Sequence, residues 1–88
     1  MPKLSRKGDK DSGGGKIVRG ASTVFANGIA VGLHVSDITP HGGGPHKSAK
    51  TTSASSTVFA EGVAVLKVGS GNSCGHPITD GSPDVFVP

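Results

Sequence analysis

The sequence predicts a small all-β domain of short strands and β-hairpins, arranged with approximate threefold pseudo-symmetry. Three observations carry that prediction. Gly and Pro fill 21 of the 88 positions, a composition that raises the entropic cost of ordering the backbone and forbids long regular helices. A ten-residue segment, Ser22-Thr23-Val24-Phe25-Ala26-Asn27-Gly28-Ile29-Ala30-Val31, recurs at an offset of 34 as Ser56-Thr57-Val58-Phe59-Ala60-Glu61-Gly62-Val63-Ala64-Val65, with eight positions identical. A second offset, of 61, aligns residues 8–26 with 69–87 without a gap, with identities at Gly8/Gly69, Ser12/Ser73, Gly14/Gly75, Ile17/Ile78, Gly20/Gly81, Val24/Val85 and Phe25/Phe86. Three related elements in so short a chain imply three similar units around an axis, or a short solenoid.

In the first repeat, Thr23, Val24 and Phe25 favour an extended backbone, Asn27-Gly28 is a two-residue turn signal, and Ile29 to Val31 returns as the partner strand. The second repeat sets Glu61-Gly62 at the same turn, where Gly62 supplies any positive φ required. Residues 37–55 carry almost no apolar side chain, and a free loop of that length is unusual in so small a domain, so a function or a tether is expected there. The third repeat stops at Val85-Phe86-Val87 without a return strand, which leaves an exposed edge. Two-stranded hairpins are marginal in water and must pack on one another. The three phenylalanines, Phe25, Phe59 and Phe86, are the side chains this pattern wants for packing.

Eighty-eight residues with 33% hydrophobic side chains and neither Trp nor Tyr fit one domain spanning 1–88. Its apolar surface is too small for a conventional core to hold it alone, and chains of this size recruit a metal, disulfides or a partner. The lone Cys74 excludes an internal disulfide, which leaves metal binding or assembly. The net charge of +3 is loaded near the start, on Lys3, Arg6, Lys7, Lys10, Lys16 and Arg19, with no interleaved aromatics on which bases could stack, so no nucleic-acid partner is expected. Neither an 18-residue apolar run nor a Sec-type series begins the chain, so neither a membrane span nor a signal peptide is expected. No enzymatic activity is expected either. There is no nucleophile elbow and no His-Glu-x2-His segment, and Gly13-Gly14-Gly15-Lys16 lacks the flanking strand and helix of a phosphate cradle. Cys74 and His76 have no third group to orient them as a nucleophile pair.

The chemistry-bearing residues are four histidines and one cysteine: His34, His41, His46, Cys74 and His76. Zinc takes four such donors tetrahedrally, and a site of that kind contributes folding free energy that a small core cannot. His41-x4-His46 and Cys74-x-His76 make two ligand pairs flanking the second hairpin, and coordination by them would close the glycine-rich loop on the Cys74 turn. His34, between Leu33 and Val35 in a strand, is the reserve ligand. One thiolate with imidazoles suits zinc better than iron.

With its repeats, its hairpin wording and the segment Ser73-Cys74-Gly75-His76-Pro77-Ile78, the chain resembles the PAAR-repeat family, the spike-tip proteins of contractile injection machines. The resemblance spans residues 6–87, although the eponymous tetrapeptide is degenerate, reading Ala30-Val31-Gly32-Leu33 and Ala64-Val65-Leu66-Lys67. It implies a small cone whose base docks on the blunt end of a trimeric β-helical spike, VgrG-like or a phage central spike. It also implies one structural zinc near the vertex, held by three histidines and a cysteine. Cys74, His41 and His46 match family ligands, whereas position 13, where many members carry a histidine, is Gly13, leaving His76 first and His34 next for the fourth place.

The implied function is mechanical: a metal-stabilised tip that caps and sharpens a membrane-piercing spike, one monomeric cap per trimer, docking through Val85, Phe86 and Val87 and touching the target membrane transiently. Such a tip is made in the cytoplasm and sits at a phage tail end or leaves with a type VI secretion or related apparatus. The alternative is a small intracellular structural zinc module for protein interaction.

Overall fold

The computed structural model describes residues 1–88, the side chain of Pro45 excepted. Strands β1 (Gly20–Ala26) and β2 (Ile29–Gly32) form one antiparallel hairpin and β3 (Phe59–Ala60) and β4 (Val63–Ala64) a second. Phe25 stands opposite Ala30 and Phe59 opposite Ala64, so the two hairpins share their register. Both turns place two residues at positive φ, Asn27 and Gly28 at 55° and 76°, Glu61 and Gly62 at 54° and 78°. This is the type I′ geometry that suits the twist of a tight hairpin. A left-handed glutamate is unfavourable by itself. Glu61 is held there by its carboxylate, which accepts the backbone N–H of Thr23 at 2.8 Å and the hydroxyl of Ser22 at 3.0 Å. The sole helical segment among the described residues is one 3-10 turn, Gly44–His46.

Backbone hydrogen bonds make the threefold pseudo-symmetry explicit. Ser5 N–H donates to the Leu66 carbonyl, Leu66 N–H to that of Gly32, and Gly32 N–H back to that of Ser5, at 3.0, 2.9 and 3.0 Å. The offsets of 34 and 61 relate these three residues. A second set surrounds this ring, from Lys7 N–H to Ala30 O, His34 N–H to Ala64 O and Val68 N–H to Lys3 O. No segment closes the ring alone, so each unit depends on its neighbours.

The third hairpin corrects the expectation of an unpaired edge at residues 85–87. Lys3 bridges Phe86, Leu4 N–H donates to Val85 O at 2.9 Å and Val87 N–H to Pro2 O at 2.8 Å. Residues 2–4 thus supply the return strand, and Val87, 4% exposed, belongs to the core.

The phenylalanines also depart from expectation. Phe25, Phe59 and Phe86 are 58%, 58% and 45% exposed. Their neighbours Ala26, Ala60 and Val87 face inward, with Leu4, Val31, Leu33 and Val65. Because successive strand residues face opposite sides, an inward Ala26 forces Phe25 out. Three hairpins converging on one axis leave room for alanine and valine there.

A second core cluster joins Ile17, Ile38, Ala49, Leu66 and Ile78. It underlies three loops, 10–16, 37–50 and 71–77, that occupy equivalent places beyond the ring. The loops are tied in a circle by Thr39 N–H to Lys16 O, Ser73 N–H to Lys50 O and Ser12 N–H to Pro77 O. The long middle loop is anchored at both ends, where Asp37 bridges Lys50 and where Ile38 and Ala49 are buried.

Candidate metal centre

The two pairs of candidate donors meet among these loops. One donor atom from each of His41, His46, Cys74 and His76 lies within 4.8 Å of the others. Local backbone chemistry explains how each pair is presented. In the middle loop, His41 N–H donates to His46 O at 3.1 Å, and Gly42 and Gly44 adopt φ of 153° and 61°. The chain therefore doubles back and turns both imidazoles inward, with ring centroids 5.0 Å apart. In the third loop, Gly75 at φ 92° closes a turn by donating to Asn72 O at 2.9 Å, which brings Cys74 and His76 to the same point. The His76 ring centroid lies 4.7 Å from that of His46 and 5.4 Å from that of His41.

The orientation of His41 follows from its partners. Its Nδ1 lies 2.9 Å from the Thr39 carbonyl, which can only accept, so Nδ1–H donates there and Nε2 is the nitrogen turned toward the cluster. Nε2 stands 3.5 Å from Cys74 Sγ. His46 Nδ1 and His76 Nδ1 are buried without a hydrogen-bond partner, a situation that costs about 1–3 kcal/mol per group unless something binds it. One thiol, three imidazoles and two orphaned ring nitrogens in one half-buried cluster fit a borderline-soft divalent ion such as zinc.

The first loop contributes space. A β-carbon on Gly13 would lie 1.8 Å from His76 Nδ1, and one on Gly15 would lie 2.5 Å from His41 Nδ1. By the offset of 61 these glycines are the counterparts of Cys74 and His76. Position 13, where the sequence resemblance expects a histidine, is thus filled by the ring of His76 reaching across from the third loop.

Of the remaining sequence candidates, His34 is not brought to the cluster. Its Nδ1 lies 3.0 Å from Thr51 Oγ1, and its backbone belongs to the hydrogen-bond set around the central ring. Asp11 was not singled out by sequence reasoning. Its carboxylate is buried beside the cluster, 3.6 Å from His41 Nε2, and its signal in the sequence is only its counterpart position to Asn72.

No curated protein matches the chain. The model of the PAAR motif matches residues 7–80, a span that takes in both tight hairpins, all three loops and the four clustered donors, and the chain belongs to the PAAR motif family.

Proposed function

We propose that this chain is the metal-stabilised tip of a contractile injection machine, capping and sharpening the blunt end of a trimeric β-helical spike. Family membership implies a structural, non-catalytic module that associates with a spike protein and works at the extracellular end of the apparatus. The observation that carries the finer reading is the placement of Phe25, Phe59 and Phe86. They are three large exposed apolar side chains at positions related by the internal threefold, on the hairpins and not on the loops that hold the donors. Val24, Ile29 and Val85 on the same hairpins are also partly exposed. Apolar aromatic anchors repeated about an axis suit a partner with three equal faces. Val85 and Phe86 remain the docking residues named from the sequence, now joined by Phe25 and Phe59, while Val87 supports them from the core.

At the other end, His41, His46, Cys74 and His76 would hold one zinc ion, which would cross-link two loops where apolar burial is sparse. The loop end then gains the rigidity that penetration demands. Burying the open strand ends of the spike under the cap also removes sites of unwanted pairing.

Mixing the purified protein with a trimeric β-helical spike tests the reading. One chain per spike trimer, with one zinc per chain by elemental analysis, is the expected result. A three-to-three complex, or no complex with a correctly folded spike, overturns it.

A further inference from the structure

The clustered donors leave a charge problem. A divalent ion with one thiolate and three neutral imidazoles retains one unit of positive charge in a partly buried place, and uncompensated buried charge is costly. The side chain of Asp11 is fully buried, and its Oδ2 stands 3.6 Å from His41 Nε2. That oxygen also accepts Asn72 Nδ2–H at 3.0 Å, while Oδ1 accepts the backbone N–H groups of Gly13 at 2.9 Å and Gly15 at 2.8 Å. These two glycines are the ones whose missing side chains leave room for His76 and His41.

We infer that Asp11 is the counter-charge and outer anchor of the metal centre. It neutralises the loaded site from beside the cluster-facing Nε2 of His41, whose Nδ1 is held by the Thr39 carbonyl, and it pins the glycine floor on which two of the ligand rings rest. The inference rests on the metal reading above and assigns a role to a residue outside the donor set. Outer partners of this sort orient ligands and raise their affinity for the ion, and losing one typically costs about 10–100-fold in metal affinity.

Asp11→Asn separates the two parts of the role. The carboxamide oxygen still accepts from Gly13 and Gly15, so the floor is kept, while the charge is lost and the new amide faces the amide of Asn72. A Asp11→Asn/Asn72→Asp exchange restores one carboxylate opposite one carboxamide, with the charge on the counterpart loop.

The experiment is a zinc titration of purified wild-type protein and both variants against a competing chelator. The visible spectrum of the cobalt-substituted proteins is recorded beside it as a report on thiolate and imidazole coordination. Wild-type protein that binds no zinc defeats the metal reading and this inference together. Given binding by wild type, the expected result is weakening by about 10–100-fold in Asp11→Asn, with the four-coordinate cobalt spectrum retained, and recovery to within about fivefold of wild type in the exchange variant. Wild-type affinity in Asp11→Asn overturns the inference alone. Should Asp11→Asn fail to fold, the exchange variant decides: near-wild-type zinc affinity supports a counter-charge, and loss of zinc or of the fold in that variant overturns it.

Discussion

Gly13→Ala tests the donor cluster with one methyl group. A β-carbon at position 13 would lie 1.8 Å from His76 Nδ1, 2.2 Å from His76 Cε1 and 3.0 Å from His41 Cδ2. Carbon contacts become favourable only near 3.5 Å, so the His76 ring must retreat by about 1.5 Å or rotate away. The alternative is for the loop to yield, which would pull the Gly13 N–H from Asp11 Oδ1 and incur an overpacking cost of about 1–3 kcal/mol. Gly13 is not among the glycines at positive φ, so alanine suits its backbone and the substitution reports on space alone. If His76 yields, one of four donors is lost. As a quarter of the ~10–16 kcal/mol typical of structural zinc, that is about 3 kcal/mol, or on the order of a 100-fold loss of affinity. Gly43→Ala is the matched control, because its φ is −93° and a β-carbon there meets nothing within 4 Å. Both proteins are assayed by chelator competition for zinc and by thermal unfolding with and without chelator. The expected pattern is weakened zinc binding and a lower, less chelator-sensitive midpoint in Gly13→Ala, with Gly43→Ala close to wild type. Wild-type zinc affinity in Gly13→Ala would refute the placement of His76 in the site.

Three further outcomes are expected. Cys74→Ala removes the only thiolate and should abolish stable zinc binding and lower the unfolding midpoint steeply, whereas His34→Ala should leave the zinc content at one per chain; elemental analysis of both variants checks this. Phe25→Ser, Phe59→Ser and Phe86→Ser each remove an exposed anchor, and the triple variant should lose spike binding with its zinc content and folded spectrum unchanged. This comparison is cleaner than deleting residues 85–88, which would also take Val87 out of the core. The hairpin-joining bonds should weaken in acid. Hydrogen bonds from Thr23, chiefly its hydroxyl, hold the Glu61 carboxyl below its ordinary value of 4.5, and the Asn27 amide, followed by the Ser82 hydroxyl, holds Asp84 below 3.8. Carboxyls lowered on folding stabilise fully above those ordinary values and progressively less as pH falls through the still lower folded ones. The gap in urea midpoint between wild type and a Glu61→Gln/Asp84→Asn variant should therefore close in acid, and a gap that widens there would contradict the assignment.

How much of this was legible in the sequence differs by feature, for physical reasons. The hairpins were legible because Asn27-Gly28 and Glu61-Gly62 are local signals, and each turn takes the positive φ its glycine suggested. The convergence of His41, His46, Cys74 and His76 was foreshadowed because histidine and cysteine are few and paired in the sequence, whereas His34 stays with Thr51. The third hairpin was hidden because its return strand, residues 2–4, lies at the other end of the sequence and shares no wording with Ile29 to Val31. The exposure of the phenylalanines was hidden because an apolar doublet such as Phe25-Ala26 does not say which member faces inward. Convergence on an axis decides that in favour of the smaller one. The glycine at position 13 read as a missing ligand, and only the packing reveals it as room for His76.

The geometry also explains why a threefold body carries an asymmetric site. Six donors from three equal loops would crowd a tetrahedral ion, which takes four. Here the donors come two from the middle loop and two from the third, and the first loop gives none. The positions in the first loop that match Cys74 and His76 are Gly13 and Gly15, and their empty volume is where the rings of His76 and His41 lie. The middle loop, the longest of the three, is the one that folds back to present two histidines from a single chain segment. The hairpin end keeps its equivalence at Phe25, Phe59 and Phe86. Symmetry is thus retained where a partner with three equal faces would be met, and broken where a single ion with tetrahedral demands would be held.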